Sequence, residues 1–515
     1  MIFLRIRWKR TLAAALACLC LLTALPVAAG ARTAFSDVPQ GHWAAESISR
    51  AAELGLMNGR SDGTFGMGRT MSRAAFVTAL CRLFQWELVT PEKGTFADDQ
   101  DRNAWYFSAV ETAVLHGALT RQEQRFRPGD AVTRQEMAVM LVRALGYGTL
   151  ASLAGERRSP FTDVSSSRGY IILADELGIM SGNSSGAFQP DRAATREQTA
   201  AVLVRVYDRL HAAAPEVCGV ARSAGELSLT GVGTVAVPAM KLVYTGSGVQ
   251  TAPDLSENAA SAVREALEGK RRLMQVSGLN VSFAGADTAA LAEQIAAAAK
   301  QGGWDGVLLD IAQLRSGEKA AYTALTAALR TALDGGLLLY VSAEAPAWQA
   351  KTAYNGYDYA ALAKQADRVI LRVTSYRQVV SGMPTTPKEP LEEVYYALAA
   401  VDGVIPAEKR MIWLSAEGSA WYGESALGDV TAAELAERLE TAGVTGYWSA
   451  RYAEPYLSYT ANGTVRTVVW YHDARSALAR RQLLAFFGGG GVCVDDLSAP
   501  LDGKNGILTG LTASV

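Results

Sequence analysis

The sequence is poor in histidine and cysteine, and its charges nearly cancel. It contains 4 His with no paired His motif, so zinc lacks donors; neither a metal nor a cofactor is expected. Of 5 Cys, Cys18 and Cys20 lie in an apolar N-terminal stretch. Cys81, Cys218 and Cys493 remain, scattered over different regions. They form neither a disulfide framework nor a metal-ligand spacing and read as small core residues. Lys and Arg number 49 against 51 Asp and Glu, a formal net charge of −2. No basic field therefore draws nucleic acid or anionic lipid. Charged residues at 19% and apolar ones at 49% exclude wholesale disorder. Beyond residue 31 no run is long and apolar enough to span a bilayer.

The first thirty residues read as a signal peptide. Arg5, Arg7, Lys9 and Arg10 precede an uncharged Ala/Leu-rich run from Leu12 to Leu25, followed by the small residues Ala28, Ala29 and Ala31. The run falls short of the roughly 18–20 apolar residues of a membrane span. Residues 1–31 are expected to be cleaved, leaving a secreted chain with no membrane segment. A length of 515 residues predicts several folding units rather than one.

Three similar stretches open with Phe35-Ser-Asp37, Phe96-Ala-Asp98 and Phe161-Thr-Asp163, spaced 61 and 65 residues apart. Each continues into an amphipathic helix ending near Gly55, Gly117 or Gly178, then a turn leading to Phe65, Phe126 or Phe188. A second helix starts at Ser72-Arg73, Thr133-Arg134 or Thr195-Arg196. Thr133 with Glu136, and Thr195 with Gln198, form predicted capping boxes; Ala75 leaves Ser72 a one-sided cap. One such repeat buries little alone, so the three should pack around a shared axis.

These elements, with His42-Trp43-Ala44 and Asn58-Gly59-x-x-Asp62-Gly63-Thr64-Phe65, resemble the S-layer homology family. The repeats are assigned to 32–94, 95–158 and 159–212. The resemblance implies noncovalent anchoring to a secondary cell-wall polysaccharide on peptidoglycan. It points to Asp37, Trp43 and Arg73, to Asp98, Trp105 and Arg134, and to Asp163 and Arg196 as wall-polymer contacts. A guanidinium at a helix start offers forked donors beside unpaired backbone amides, which suits a carboxylated sugar. The alternative is that these Arg residues join one repeat to another. Repeat two has Arg121 where the others have glycine, and repeat three lacks the Trp, so the grooves are unequal.

Residues 213–237, rich in Gly, Ala and Pro, are read as a linker. From 238 to 515, short Val/Ile/Leu runs (306–311, 337–341, 368–373, 410–414) alternate with helical stretches such as 288–300 and 432–441. This alternation predicts a parallel α/β domain of (β/α)8 TIM-barrel size. Gly303-Trp-Asp-Gly-Val-Leu-Leu-Asp310, Tyr357-Asp-Tyr-Ala, Asp367-Arg-Val-Ile-Leu371, Pro406-Ala-Glu-Lys409 and Val469-Trp-Tyr-His-Asp473 resemble glycoside hydrolase family 18, particularly its spore and cell-wall branch. The implied partner is an N-acetylated aminosugar polymer such as peptidoglycan or chitin.

The site departs from that family. Alternation along the strand turns Leu308, Asp310 and Ala312 into the barrel. The family signature Asp-x-x-Asp-x-Asp-x-Glu starts at Asp305; its second Asp is Leu308, its third is kept as Asp310, and its Glu is Ala312. The resemblance implies that this Glu protonates the leaving oxygen, which an Ala methyl cannot do. Thr374-Ser375, Glu417 and Asp495 replace a Tyr-Asp pair, a Tyr and a stacking Trp. Asp305 and Asp310 are therefore vestigial. Glu344 and Glu417, near strand ends, are candidate relocated acids; Trp348, Tyr376, Trp421, Tyr422 and Trp448 are glycan-groove candidates. Three readings stand: a wall-anchored binder without cleavage, an active glycosidase with relocated acids, and a structural surface-layer or assembly protein.

Overall fold

The computed structural model describes residues 35–122, 124–245, 248–334, 336–346, 354–373, 385–423, 425–440, 445–461, 465–499, 501–503 and 506–513. Two compact units emerge: one runs to Arg134 and adds Asp191–Arg205, the other holds Gln135–Pro190 and Val206 onward.

In the first unit the three repeats meet through their helix starts. Single antiparallel bridges pair Thr70 with Thr195, Ser72 with Ala131 and Thr133 with Ala193. The backbone amides of Arg73, Arg134 and Arg196 donate to the carbonyls of Asp130, Arg192 and Arg69, so each repeat satisfies orphan donors of another. Ser72 accepts from the Ala75 amide. Thr195 and Gln198 exchange the two bonds of a capping box. The first helices end where expected, at Gly55 and Gly117, whose positive φ values of 68° and 73° suit glycine.

The second unit is built on a nine-stranded sheet. Its strands are β1 (Glu216–Val220), β2 (Val232–Thr245), β3 (Gly248–Pro253), β4 (Arg271–Leu279), β5 (Gly306–Ala312), β6 (Leu338–Glu344), β7 (Arg368–Arg372), β8 (Arg410–Leu414) and β14 (Gly491–Val494). β3 is a hairpin arm antiparallel to β2. The other eight run parallel and close, because β1 pairs with both β14 and β2. The interior is filled by Cys218, Val220, Ala236, Leu273, Leu308, Tyr340, Ile370, Met411, Trp413 and Cys493, drawn from all eight strands. Leu308 therefore faces inward, as alternation predicts.

The expected linker is corrected here. β1 and β2 begin within 213–237, so the barrel starts at Glu216 and not at 238. Glycine supports packing there: a Cβ on Gly219 would lie 2.6 Å from the Leu497 side chain.

Between β8 and β14 a second sheet is inserted: β9 (Gly418–Tyr422), β10 (Ser425–Val430), β11 (Thr445–Ser449), β12 (Glu454–Ala461) and β13 (Val465–Trp470), all antiparallel. One face packs Ala420, Leu457 and Val469 on Leu435 of helix Ala432–Glu440. A buried ionic knot fastens the insertion. His472 donates from Nε2 to Glu389 and from Nδ1 to Glu454, each at 2.9 Å. Arg480, fully buried, pairs with Glu454 and donates to the carbonyls of Glu389 and Ala453.

Burial alone would lower the His472 pKa, but the Glu454 charge and the bonds to Glu389 and Glu454 push it up to about 9. A folded-state pKa above the ordinary 6.5 stabilises the fold fully below the unfolded value and ceases to do so as pH rises through about 9. Urea unfolding should show stability falling from pH 6.5 toward 9, and a His472→Leu variant should lack that slope.

Candidate functional site

Asp310 sits inside the barrel, one layer above Leu308. The Arg372 guanidinium reaches it from β7, with Nη2 to the two carboxylate oxygens at 2.7 and 2.6 Å and Nε at 3.0 Å. Gln275 of β4 donates at 2.7 Å and the Ser342 hydroxyl of β6 donates as well. The guanidinium lies over Trp413, 3.6 Å from the ring centroid. Burial raises the Asp310 pKa, yet the Arg372 charge and these hydrogen bonds outweigh it and hold the carboxyl below its ordinary value. Asp310 is thus a satisfied carboxylate with no proton to give.

Around this pair the barrel mouth carries other acids, each occupied. Ala312 ends β5, and the chain turns at Gln313 in left-handed backbone, φ 60°. The Gln313 amide donates to Glu344 Oε1 at 3.2 Å. The buried Glu344 thus braces the loop after β5. Glu417 is half-buried and pairs with Lys388 Nζ at 2.9 Å; Lys388 also reaches Asp429 at 3.5 Å and the Ser415 hydroxyl at 3.1 Å. Asp495 follows β14 and accepts from the Ser415 hydroxyl and the Ala416 amide; burial, the largest influence, raises its pKa. Asp305 lies at the opposite end of β5, where it accepts from the Arg272 amide at 2.7 Å. Among the described residues no group of three or more His, Cys, Asp or Glu is placed to hold a metal ion.

The aromatic candidates separate. Trp348 and Tyr376, like Thr374-Ser375, lie outside the described residues. Trp421 is buried, and its indole N–H donates to the Thr386 carbonyl at 3.0 Å. It packs with Tyr452, Val468 and Trp470. Trp448 is half-covered by Arg475, 3.2 Å from its centroid. Tyr422 is exposed. Sequence reasoning missed a row on the face of the inserted sheet that also carries Trp421 and Val468. Tyr447, Tyr456 and Trp470 are successive cross-strand partners. Their rings are 5.2 Å apart at 20° and 4.6 Å apart at 42°. Tyr456 and Trp470 line a depression of about 400 Å³ with Ser449, Arg466 and Val468. Period-two alternation along 445–449 and 454–461 is the signal that would have shown the row.

In the repeats the acids and the exposed aromatics do different work. Asp37 accepts from the amides of Phe65, Gly66 and Met67 at 2.7–2.8 Å. Asp98 does so from Phe126 and Arg127, and Asp163 from Phe188 and Gln189. Arg73 is only 1% exposed; its Nε donates to the Phe126 carbonyl at 2.7 Å and its guanidinium covers that ring. Arg196 repeats the arrangement on Phe65, adding the Asn58 carbonyl. A wall-polymer contact by Arg73 is therefore corrected: buried, it joins repeats. Arg134 is half-buried at its helix start. Trp43 and Trp105 are 64% and 66% exposed and offer open ring faces.

Residues 258–495 match the family model described as Glycosyl hydrolases family 18, and 34–77, 98–138 and 160–200 match the S-layer homology domain. An endoglucanase from Bacillus sp. (strain KSM-635) is 31% identical over 174 residues, 33% of this chain and 18% of that protein. An S-layer protein from Bacillus thuringiensis subsp. finitimus is 27% identical over 185 residues, 35% of this chain and 22% of that protein. The first four curated relatives are matched over only 10–22% of their lengths. Among solved structures, a class V chitinase from Pseudomonas fluorescens Pf-5 has 20% identity and a TM-score of 0.49, covering 58% of this chain and 99% of that one.

The buried pair is testable by unfolding. Arg372→Met leaves Asp310 uncompensated and should cost about 3–5 kcal/mol. Adding Asp310→Leu should recover most of that loss in urea titrations, because it removes the orphaned charge.

Proposed function

We propose that this chain, which joins three S-layer homology repeats to a glycosyl hydrolase family 18 domain, holds a cell-wall glycan in its barrel domain without cleaving it. The chain is a secreted protein anchored to the cell wall. Its repeats are assigned to a secondary cell-wall polysaccharide, with Trp43 and Trp105 stacking on sugar rings. The barrel domain is assigned to an aminosugar glycan, with Tyr447, Tyr456 and Arg466 of the inserted sheet as its contacts.

One observation carries the non-cleaving reading: Ala312 stands at the end of β5 while Arg372 holds Asp310 ionised. General acid catalysis contributes roughly 10²–10⁴-fold, and neither residue supplies a proton. Full-length protein should release no product from defined aminosugar oligomers. Turnover that disappears in Glu344→Gln, Glu417→Gln or Asp495→Asn would establish a relocated acid and replace the binder with a glycosidase.

Binding is tested separately. Trp43→Ala and Trp105→Ala should each reduce sedimentation with wall that carries its secondary polymer, with unchanged melting temperature. Tyr447→Ala should lower retention of soluble aminosugar oligomers and leave wall sedimentation intact. Loss of neither would favour a structural surface-layer role.

A further inference from the structure

Two thiols face each other inside the barrel, at the seam where its first and last strands meet. Cys218 on β1 and Cys493 on β14 are direct register partners on parallel neighbours. Both side chains are fully buried in the interior cluster, and their Sγ atoms are 3.4 Å apart. Neighbouring strands lie about 4.8 Å apart, inside the roughly 4.4–6.8 Å window of Cα separations that disulfides span. Reaching a bond of about 2.05 Å asks each sulfur to move only about 0.7 Å. Cys81, by contrast, donates its S–H to the Ala109 carbonyl.

We propose that Cys218 and Cys493 are joined by a disulfide in the exported protein, a covalent staple across the barrel seam. The oxidant is a disulfide-exchanging thiol oxidant met outside the cytoplasm. One cysteine thiolate attacks the oxidant's disulfide and expels one of its sulfurs as a thiolate. The second cysteine thiolate then displaces the other oxidant sulfur from the mixed disulfide. The pair loses two electrons and two protons, and the oxidant leaves as its reduced dithiol. Burial pushes the Cys493 thiol far above its ordinary pKa, so this exchange belongs to the chain before the seam closes. The position suits a staple. β1 has 5 residues and β14 has 4, and the two cysteines are 275 residues apart. A cross-link closing so long a loop constrains the unfolded chain strongly.

The test uses the full chain collected after export into a medium containing iodoacetamide, then unfolded without reductant, alkylated again and digested. The expected product is a peptide pair linked through Cys218 and Cys493, with carbamidomethyl on Cys81, and the link disappears on reduction. Carbamidomethyl on both Cys218 and Cys493 before reduction overturns the proposal. Melting temperature gives an independent readout. Unfolding and refolding in reductant should lower that of the wild type by several degrees and leave a Cys218→Ala, Cys493→Ala chain unmoved. An equal response of the two chains also overturns it.

Discussion

A carboxylate turned into the core of a closed barrel must be given a counter-ion or lose its charge, and the pairing of Arg372 with Asp310 answers that constraint. An ion taken out of water is stabilised only when its lone pairs are filled with good geometry. The guanidinium fork covers both oxygens, Gln275 and Ser342 complete the set, and Trp413 accepts the flat face of the cation. Five neighbouring strands, β4 to β8, are tied together by this arrangement. It also keeps Asp310 ionised, because the Arg372 charge and the hydrogen bonds outweigh burial and hold its pKa below the ordinary value. Below it Leu308, Tyr340, Ile370 and Met411 fill the bore, which is a packed core and not a channel.

The repeats solve a similar problem with backbone instead of a cation. Asp37, Asp98 and Asp163 each collect amides from a turn 25–30 residues further along. For Asp37 those amide bonds outweigh its slight burial and keep its pKa low. The motif acid is thereby committed to the fold. Arg73 and Arg196 are likewise committed, each capping a Phe carbonyl and covering its ring. Trp43 and Trp105, by contrast, leave their indoles exposed.

The barrel strands were legible where apolar runs were bounded by charge and helix, as in Gly306–Ala312 and Arg410–Leu414. β1 and β2 were hidden because glycine density reads as a linker. Gly219 is there since a Cβ would strike Leu497, and Gly231 since its φ is 72°; packing and a turn required them, not a flexible join. The loss of the acid was visible at Ala312 directly. Its consequence was not, because Arg372 reads as the polar end of an apolar strand, and its partner is fixed only by β7 lying two strands from β5 in the closed sheet. The burial of Trp421 was hidden for the same reason: it depends on the Thr386 carbonyl, 35 residues away.

Relocation of the acid is the serious rival, and the mouth argues against it residue by residue. Glu344 occupies the next strand but spends an oxygen on the Gln313 amide. Glu417 is engaged by Lys388 Nζ at 2.9 Å. Asp495 is the one whose burial favours a proton, yet both its oxygens act as acceptors, from Ser415 and from the Ala416 amide. A binder is also coherent with the anchor. On the proposed reading two modules on one chain address the same wall, so the stacked rings of the inserted sheet would need only modest affinity to matter. On that same reading, cleavage would instead release the polymer that the second module is proposed to hold.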